Sequence, residues 1–127
     1  MINSVLLVGR IVETPTLKNY EDGSYAVIRL AVNRPFRNSE GDYDTDFIRC
    51  VVWNAMATST CDYCRKGDIV GVRGRLVQKH SDISFDYNGE ILKKTISTLE
   101  VVGERVVFIM TSGQKQVDNI NIDEEIN

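Results

Sequence analysis

The chain has 127 residues, of which 43% are hydrophobic and 26% charged, the size and composition of one globular domain with a single core. No apolar run approaches the ~20 residues that a membrane-spanning helix needs, and Met1-Ile2-Asn3-Ser4 has no basic stretch ahead of an apolar one, so a cytoplasmic protein with reduced thiols and without membrane span or signal peptide is expected. Residues 1–110 carry fourteen basic and fourteen acidic side chains, and residues 111–127 carry one lysine and four acids; the net charge of −3 lies wholly in the last segment, and the placement of charge must decide about polyanionic ligands.

Residues 5–12 form a nearly continuous apolar run broken by Gly9 and Arg10, a strand in which the glycine marks a bulge or a close backbone approach. Thr14-Pro15 and Glu21-Asp22-Gly23-Ser24 are turn material. A second strand is expected over 25–33, with Ala26, Ile28, Leu30 and Val32 facing inward by their period of two. Residues 37–46 read as a loop. In the third strand, 46–54, Ile48, Cys50 and Val52 supply the inner face. Phe47, Arg49, Val51 and Trp53 therefore share the outer one, because strand side chains alternate.

The helix is expected over 55–66. Ala57, Cys61 and Cys64 form its buried stripe, Arg65 and Lys66 suit its C-terminus, and Gly67 terminates it. Strands over 69–87 and 90–102 follow, joined at Asn88-Gly89, a strong hairpin signal. Gly71 and Gly74 allow the first of them to bend. A last short strand is expected over 106–110. Residues 111–127 are polar and acidic and read as a disordered tail. The domain division is thus 1–110 and 111–127. A helix between the third and fourth of five strands fits an all-β, five-stranded Greek-key barrel, the OB-fold.

An aromatic on a strand is most often core. Phe47 and Trp53 escape that reading because the inner face is already filled. They stand six residues apart, about 20 Å at the usual strand rise. Phe36 lies between Arg34 and Arg37. Flat aromatic surface interleaved with cations is what single-stranded nucleic acid demands, since its bases expose faces and each phosphate carries a charge. The cation candidates are Arg10, Arg29, Arg34, Arg37, Arg49, Arg73, Arg75 and Lys79, of which Arg29 and Arg49 fall on outward faces of adjacent strands. An interaction module on the same barrel, with weak nucleic-acid affinity, stays open beside this reading.

Cys61-Asp62-Tyr63-Cys64 does not read as a zinc or redox site. A structural zinc site needs four ligands, and only Cys50 and His80 remain. The helical stripe explains the pair as core thiols. No catalytic residue, metal or cofactor is expected.

Four segments resemble the bacterial single-stranded DNA-binding protein family. They are Met1-Ile2-Asn3-Ser4-Val5-Leu6-Leu7-Val8-Gly9-Arg10, Leu30-Ala31-Val32-Asn33-Arg34-Pro35-Phe36, Asp46-Phe47-Ile48-Arg49-Cys50-Val51-Val52-Trp53 and Arg65-Lys66-Gly67-Asp68-Ile69-Val70-Gly71-Val72-Arg73-Gly74-Arg75-Leu76. The resemblance spans residues 1 to about 108. It implies an OB-fold, a homotetramer with the first strand available for subunit pairing, and sequence-tolerant binding and protection of single strands in replication, recombination or repair. It also implies that Phe36, Phe47 and Trp53 are the base-stacking aromatics. Two departures stand out. The family's stacking aromatic on the long hairpin falls near Ser81, with Phe85 and Tyr87 further along as substitutes. The acidic tip Asp123-Glu124-Glu125-Ile126-Asn127 keeps its charge without the family's final Pro-Phe, so recruitment of replication and repair proteins through it stays open. Both departures fit a specialised or mobile-element relative.

Overall fold

The structure, a computed structural model, describes residues 1–112. Among these, six strands and one helix follow in the order β1 (Val5–Ile11), β2 (Lys18–Tyr20), β3 (Gly23–Arg37), β4 (Tyr43–Trp53), α1 (Asn54–Tyr63), β5 (Ile69–Tyr87) and β6 (Glu90–Met110). The strands bond in the order β1-β5-β6-β4-β3-β2, and β1 also pairs with β3. That pairing closes a ring of five strands, with β2 attached outside it and α1 between the third and fourth ring strands. This is the expected OB-fold.

The core follows from strand alternation. Ala26, Ile28 and Leu30 of β3 are fully buried, as are Cys50 and Val52 of β4 and Val70 and Val72 of β5. Ala57 and Cys64 pack on this cluster from the helical segment. β5 and β6 approach closely at a bulge between Arg73 and Gly74. A Cβ on Gly74 would lie 2.0 Å from the Val102 carbonyl oxygen, so only glycine admits that approach.

Several boundaries differ from expectation. β3 continues past Asn33 to Arg37, and the loop shrinks to residues 38–42. Pro35 lacks a donor, and the β3–β4 register slips between Asn33 and Arg37 rather than ending there. The strands expected over 90–102 and 106–110 are one, because the Gly103 region bends without breaking the ladder. β2 occupies residues read as connection; its three polar positions carry no strand signal. The helix stops at Tyr63, with Cys64 already extended. The Asp68 carboxylate accepts the Arg65 N–H at 2.8 Å, and Asp68 N–H donates to the Arg65 carbonyl at 3.1 Å, which turns the chain before Gly67. Arg65 does serve the helix end, its guanidinium donating to the carbonyls of Cys61 and Cys64 at 3.0 and 2.9 Å.

Among the described residues no helix is long and apolar enough to cross a membrane. Of the segment read as a tail, Thr111 and Ser112 are described and the rest lies outside the described residues. Asp68 also accepts the Ser112 N–H at 3.2 Å, fixing where β6 leaves the barrel.

Candidate nucleic-acid interface

β3 and β4 pair in a register that sets Tyr25 opposite Trp53, Val27 opposite Val51, Arg29 opposite Arg49 and Ala31 opposite Phe47. All belong to the outward set. Residues directly opposite share a face, and rows two residues apart are separated by about 7 Å. Phe47 is 72% exposed and Trp53 41%. Val51 was expected outside and is buried instead, because it forms the floor of a cleft walled by Tyr25, Trp53, Arg49 and Glu100.

Trp53 is held in a cluster of three rings. Its centroid lies 5.4 Å from Tyr25, at 39°, and 5.7 Å from Tyr20 in an edge arrangement. Tyr20 and Tyr25 are 5.3 Å apart. Such spacings are favourable for aromatic pairs. Tyr20 is a member of the site that the sequence does not reveal; it is brought to Trp53 by the β2–β3 hairpin, in which it pairs with Gly23. The junction behind Trp53 is fixed as well. Asn54 adopts a left-handed conformation, φ 54°, and its Oδ1 accepts the Ser24 N–H at 3.2 Å.

Two guanidinium groups directly opposite each other would repel. Each is compensated. Arg29 Nε lies 3.2 Å from Glu13 Oε1, and Arg49 Nη1 donates to Glu100 Oε2. Arg49 lines two clefts, one of about 180 Å³ at Trp53 and one of about 280 Å³ that it shares with Arg29 and Lys18. Neither carboxylate was visible in the sequence, because Arg49 and Glu100 are 51 residues apart and no local pattern joins them.

The other candidates divide. Arg10 pairs with Ala31, in the same row as Phe47; it is exposed and its Nη1 donates to the Gly67 carbonyl at 2.7 Å. Phe36 is exposed at the outer end of β3. Arg37 sits beyond it, its guanidinium 5.2 Å from the ring centre of the exposed Tyr43. Lys79 lines the Trp53 cleft. Arg75 falls in a row with Val102 and, across β6, with Val51. Arg73 is on a different wall, opposite Leu6 and Arg105.

Arg34 is turned away. Its Nη2 and Nε reach Asp46 at 3.0 and 3.1 Å, and Asp46 alternates with Phe47 and so points to the other side of β4. This hydrogen-bonded pair holds the Asp46 carboxyl below its usual range and raises the Arg34 guanidinium. Arg34 is thus paired within the β3–β4 arm, on the side of β4 away from Phe47.

On the hairpin, Lys79, Ser81, Ile83, Phe85 and Tyr87 share one face of β5 by alternation. Ser81 faces Ile96 and Phe85 faces Leu92, so the row at Ser81 offers aliphatic surface. Phe85 is six residues beyond Lys79, about 20 Å along the strand. Phe85 and Tyr87 are exposed but remote from the Trp53 cluster.

The thiols lie outside this surface. Burial pushes Cys50 up to about 11. Burial, then Asp68 and Cys61, push Cys64 up to about 12 against a small opposing effect of Arg65. Burial, then Asp62, also raises Cys61. Reactive or metal-ligating cysteines need the opposite shift. Among the described residues no group of three or more His, Cys, Asp and Glu side chains is gathered.

The model of the Single-strand binding protein family matches residues 2–109. The chain belongs to this family. A single-stranded DNA-binding protein of Halalkalibacterium halodurans is 37% identical over 124 residues, covering 97% of this chain and 70% of that protein. One from Oceanobacillus iheyensis is 38% identical over 116 residues, covering 91% and 68%. Among solved structures, the small single-stranded DNA-binding protein from Streptomyces coelicolor superposes with a TM-score of 0.60 at 19% identity, over 86% of this chain and 96% of that one. That likeness speaks for the OB-fold alone.

Proposed function

We propose that this single-strand binding family member binds and protects single-stranded DNA, without sequence preference and without catalysis, on the outward face of β3 and β4. The observation that carries the reading is the exposure of Phe47 and Trp53 on one strand face with Arg49 between them, on a barrel whose inner face is already filled. Bases stack on the rings at about 1–3 kcal/mol each, and every base has a face to offer. Arg10, Arg29, Arg49 and Lys79 supply the cations along the same track. Phe36 and Arg37 extend it at the arm, and Arg75, Phe85 and Tyr87 toward the hairpin.

The same proposal places the protein in the cytoplasm, on strands exposed during replication, recombination or repair. It also makes the working unit a homotetramer. Leu6, Val8, Val107 and Ile109 are exposed apolar side chains on the β1–β5–β6 wall, away from the Trp53 cleft, and subunit contact there would cover them.

The test is a titration with oligothymidine at two salt concentrations, following the emission of Trp53, the chain's one tryptophan. Quenching with affinity that weakens as salt rises is the expected result. Binding to duplex alone, or to one sequence alone, would overturn the reading.

A further inference from the structure

We propose that Glu100 is an internal competitor of DNA phosphate for Arg49, and so sets how tightly the stacking face holds a single strand. The inference rests on the β3–β4 reading above and adds to it a residue that opposes binding.

Arg49 occupies the centre of the face. It stands between Phe47 and Trp53 on β4, opposite Arg29, and lines both clefts. In the free protein its Nη1 already donates to Glu100 Oε2. The two arginines differ in how firmly they are held. Glu13, the partner of Arg29, is 67% exposed, whereas Glu100 is only 13% exposed. An exposed pair exchanges readily with water and ions and counts for little; a sheltered one is screened less. Glu100 is also fixed by the sheet. It lies on β6 opposite Val77, next to the row of Lys79 and Thr98, so its backbone is held beside the Trp53 cleft that it lines.

A base stacked on Trp53 brings its phosphates to this cleft. Phosphate and Glu100 then face the same guanidinium, and the cations around them are Arg49, Lys79 and Arg29, with Glu13 as the second acid. Arg49 is neutralised before the nucleic acid arrives, so its engagement releases less counterion than a free arginine would. The salt dependence of binding should therefore be shallower than the number of cations on the face suggests.

The experiment compares the unaltered chain, Glu100→Gln, Arg49→Gln and the double variant in oligothymidine titrations across a salt series. Glutamine keeps the size of the side chain and removes its charge. The expected result for E100Q is tighter binding at low salt, by about three- to fivefold, the scale of one partly exposed ion pair. The slope of log affinity against log salt should steepen by up to about 0.7, one further counterion on a single strand. The gain should largely vanish when Arg49 is already glutamine. Equal gains in both backgrounds would reduce Glu100 to one negative charge near DNA and overturn the proposal, as would unchanged or weaker binding by E100Q. If the unaltered chain shows neither binding nor Trp53 quenching, the platform reading itself fails and this inference goes with it.

Discussion

Asn54 Oδ1 accepts the Ser24 N–H at 3.2 Å directly over Gly23, where an added Cβ would stand 2.3 Å from that same oxygen. This contact joins the residue that follows β4 to the start of β3, one residue beyond Trp53 and one before Tyr25. Gly23 has φ +144°, a conformation that side chains disfavour. Gly23→Ala should therefore destabilise the fold by about 1–3 kcal/mol and shift Trp53 emission, as the Tyr20–Tyr25–Trp53 cluster loosens. Thermal unfolding monitored by Trp53 reads both effects.

Phe47 and Trp53 should contribute separately. They stand too far apart for one base, and Arg49 lies between them. Phe47→Ala and Trp53→Ala should each weaken oligothymidine binding by about 1–3 kcal/mol. Their effects should add closely when combined, because they share no partner. Phe47→Ala should leave stability nearly unchanged, since its ring is exposed. Trp53→Ala should also cost stability through its two tyrosine neighbours. Affinity and melting measurements on the three variants separate these roles.

Arg34 and Arg29 provide a contrast between cations that charge counting alone treats alike. Arg34 is bound to Asp46 on the side of β4 opposite Phe47, while Arg29 stands on the stacking face. Arg29→Gln should weaken binding and flatten the salt slope by about one counterion. Arg34→Gln should leave both nearly as they were. Equal losses from the two substitutions would mean that the β3–β4 arm turns over when it meets DNA.

Much of this was legible because strand alternation is a strict rule. The inward set of Ala26, Ile28, Leu30, Cys50 and Val52 could be read directly, and it forced Phe47 and Trp53 outward. What escaped was long-range or too short to carry a period. β2 has three polar residues and is defined only by its pairing with β3, so Tyr20 had no visible reason to approach Trp53. Glu13, just past the end of β1, and Glu100 of β6 meet Arg29 and Arg49 from neighbouring segments that lie far away in sequence. The alternation that turns Asp46 away from Phe47 is readable in the sequence, but its pairing with Arg34 is not.

Thr60 marks a site where the core can be improved. It is fully buried in α1, and among the described residues its Oγ1 has no hydrogen-bond partner. A buried hydroxyl without a partner carries a desolvation penalty that an isosteric methyl does not. Valine has nearly the same shape and the same β-branch, so helix propensity changes little. Thr60→Val should stabilise the protein by about 1 kcal/mol without altering affinity for DNA. Denaturant unfolding and an oligothymidine titration check the two halves.

The cysteines make stability fall at alkaline pH. Unfolded thiols titrate at their ordinary value of 9.0, whereas burial holds Cys50 to about 11 and Cys64 to about 12. Between pH 9 and these values the unfolded chain has released protons that the folded chain still binds. The stabilisation from keeping the thiols neutral is therefore complete below pH 9 and lost as pH rises through 11 to 12. Unfolding free energy measured from pH 8 to 10.5 should decline. Cys50→Ala and Cys64→Ala should each flatten that decline while lowering stability at neutral pH through lost packing. Thiol labelling of the native protein gives the kinetic counterpart. The partly exposed Cys61 should react first, and Cys50 and Cys64 only at the rate of opening. Rapid labelling of Cys64 at pH 8 would contradict its burial and return the Cys61–Cys64 pair to consideration as chemistry.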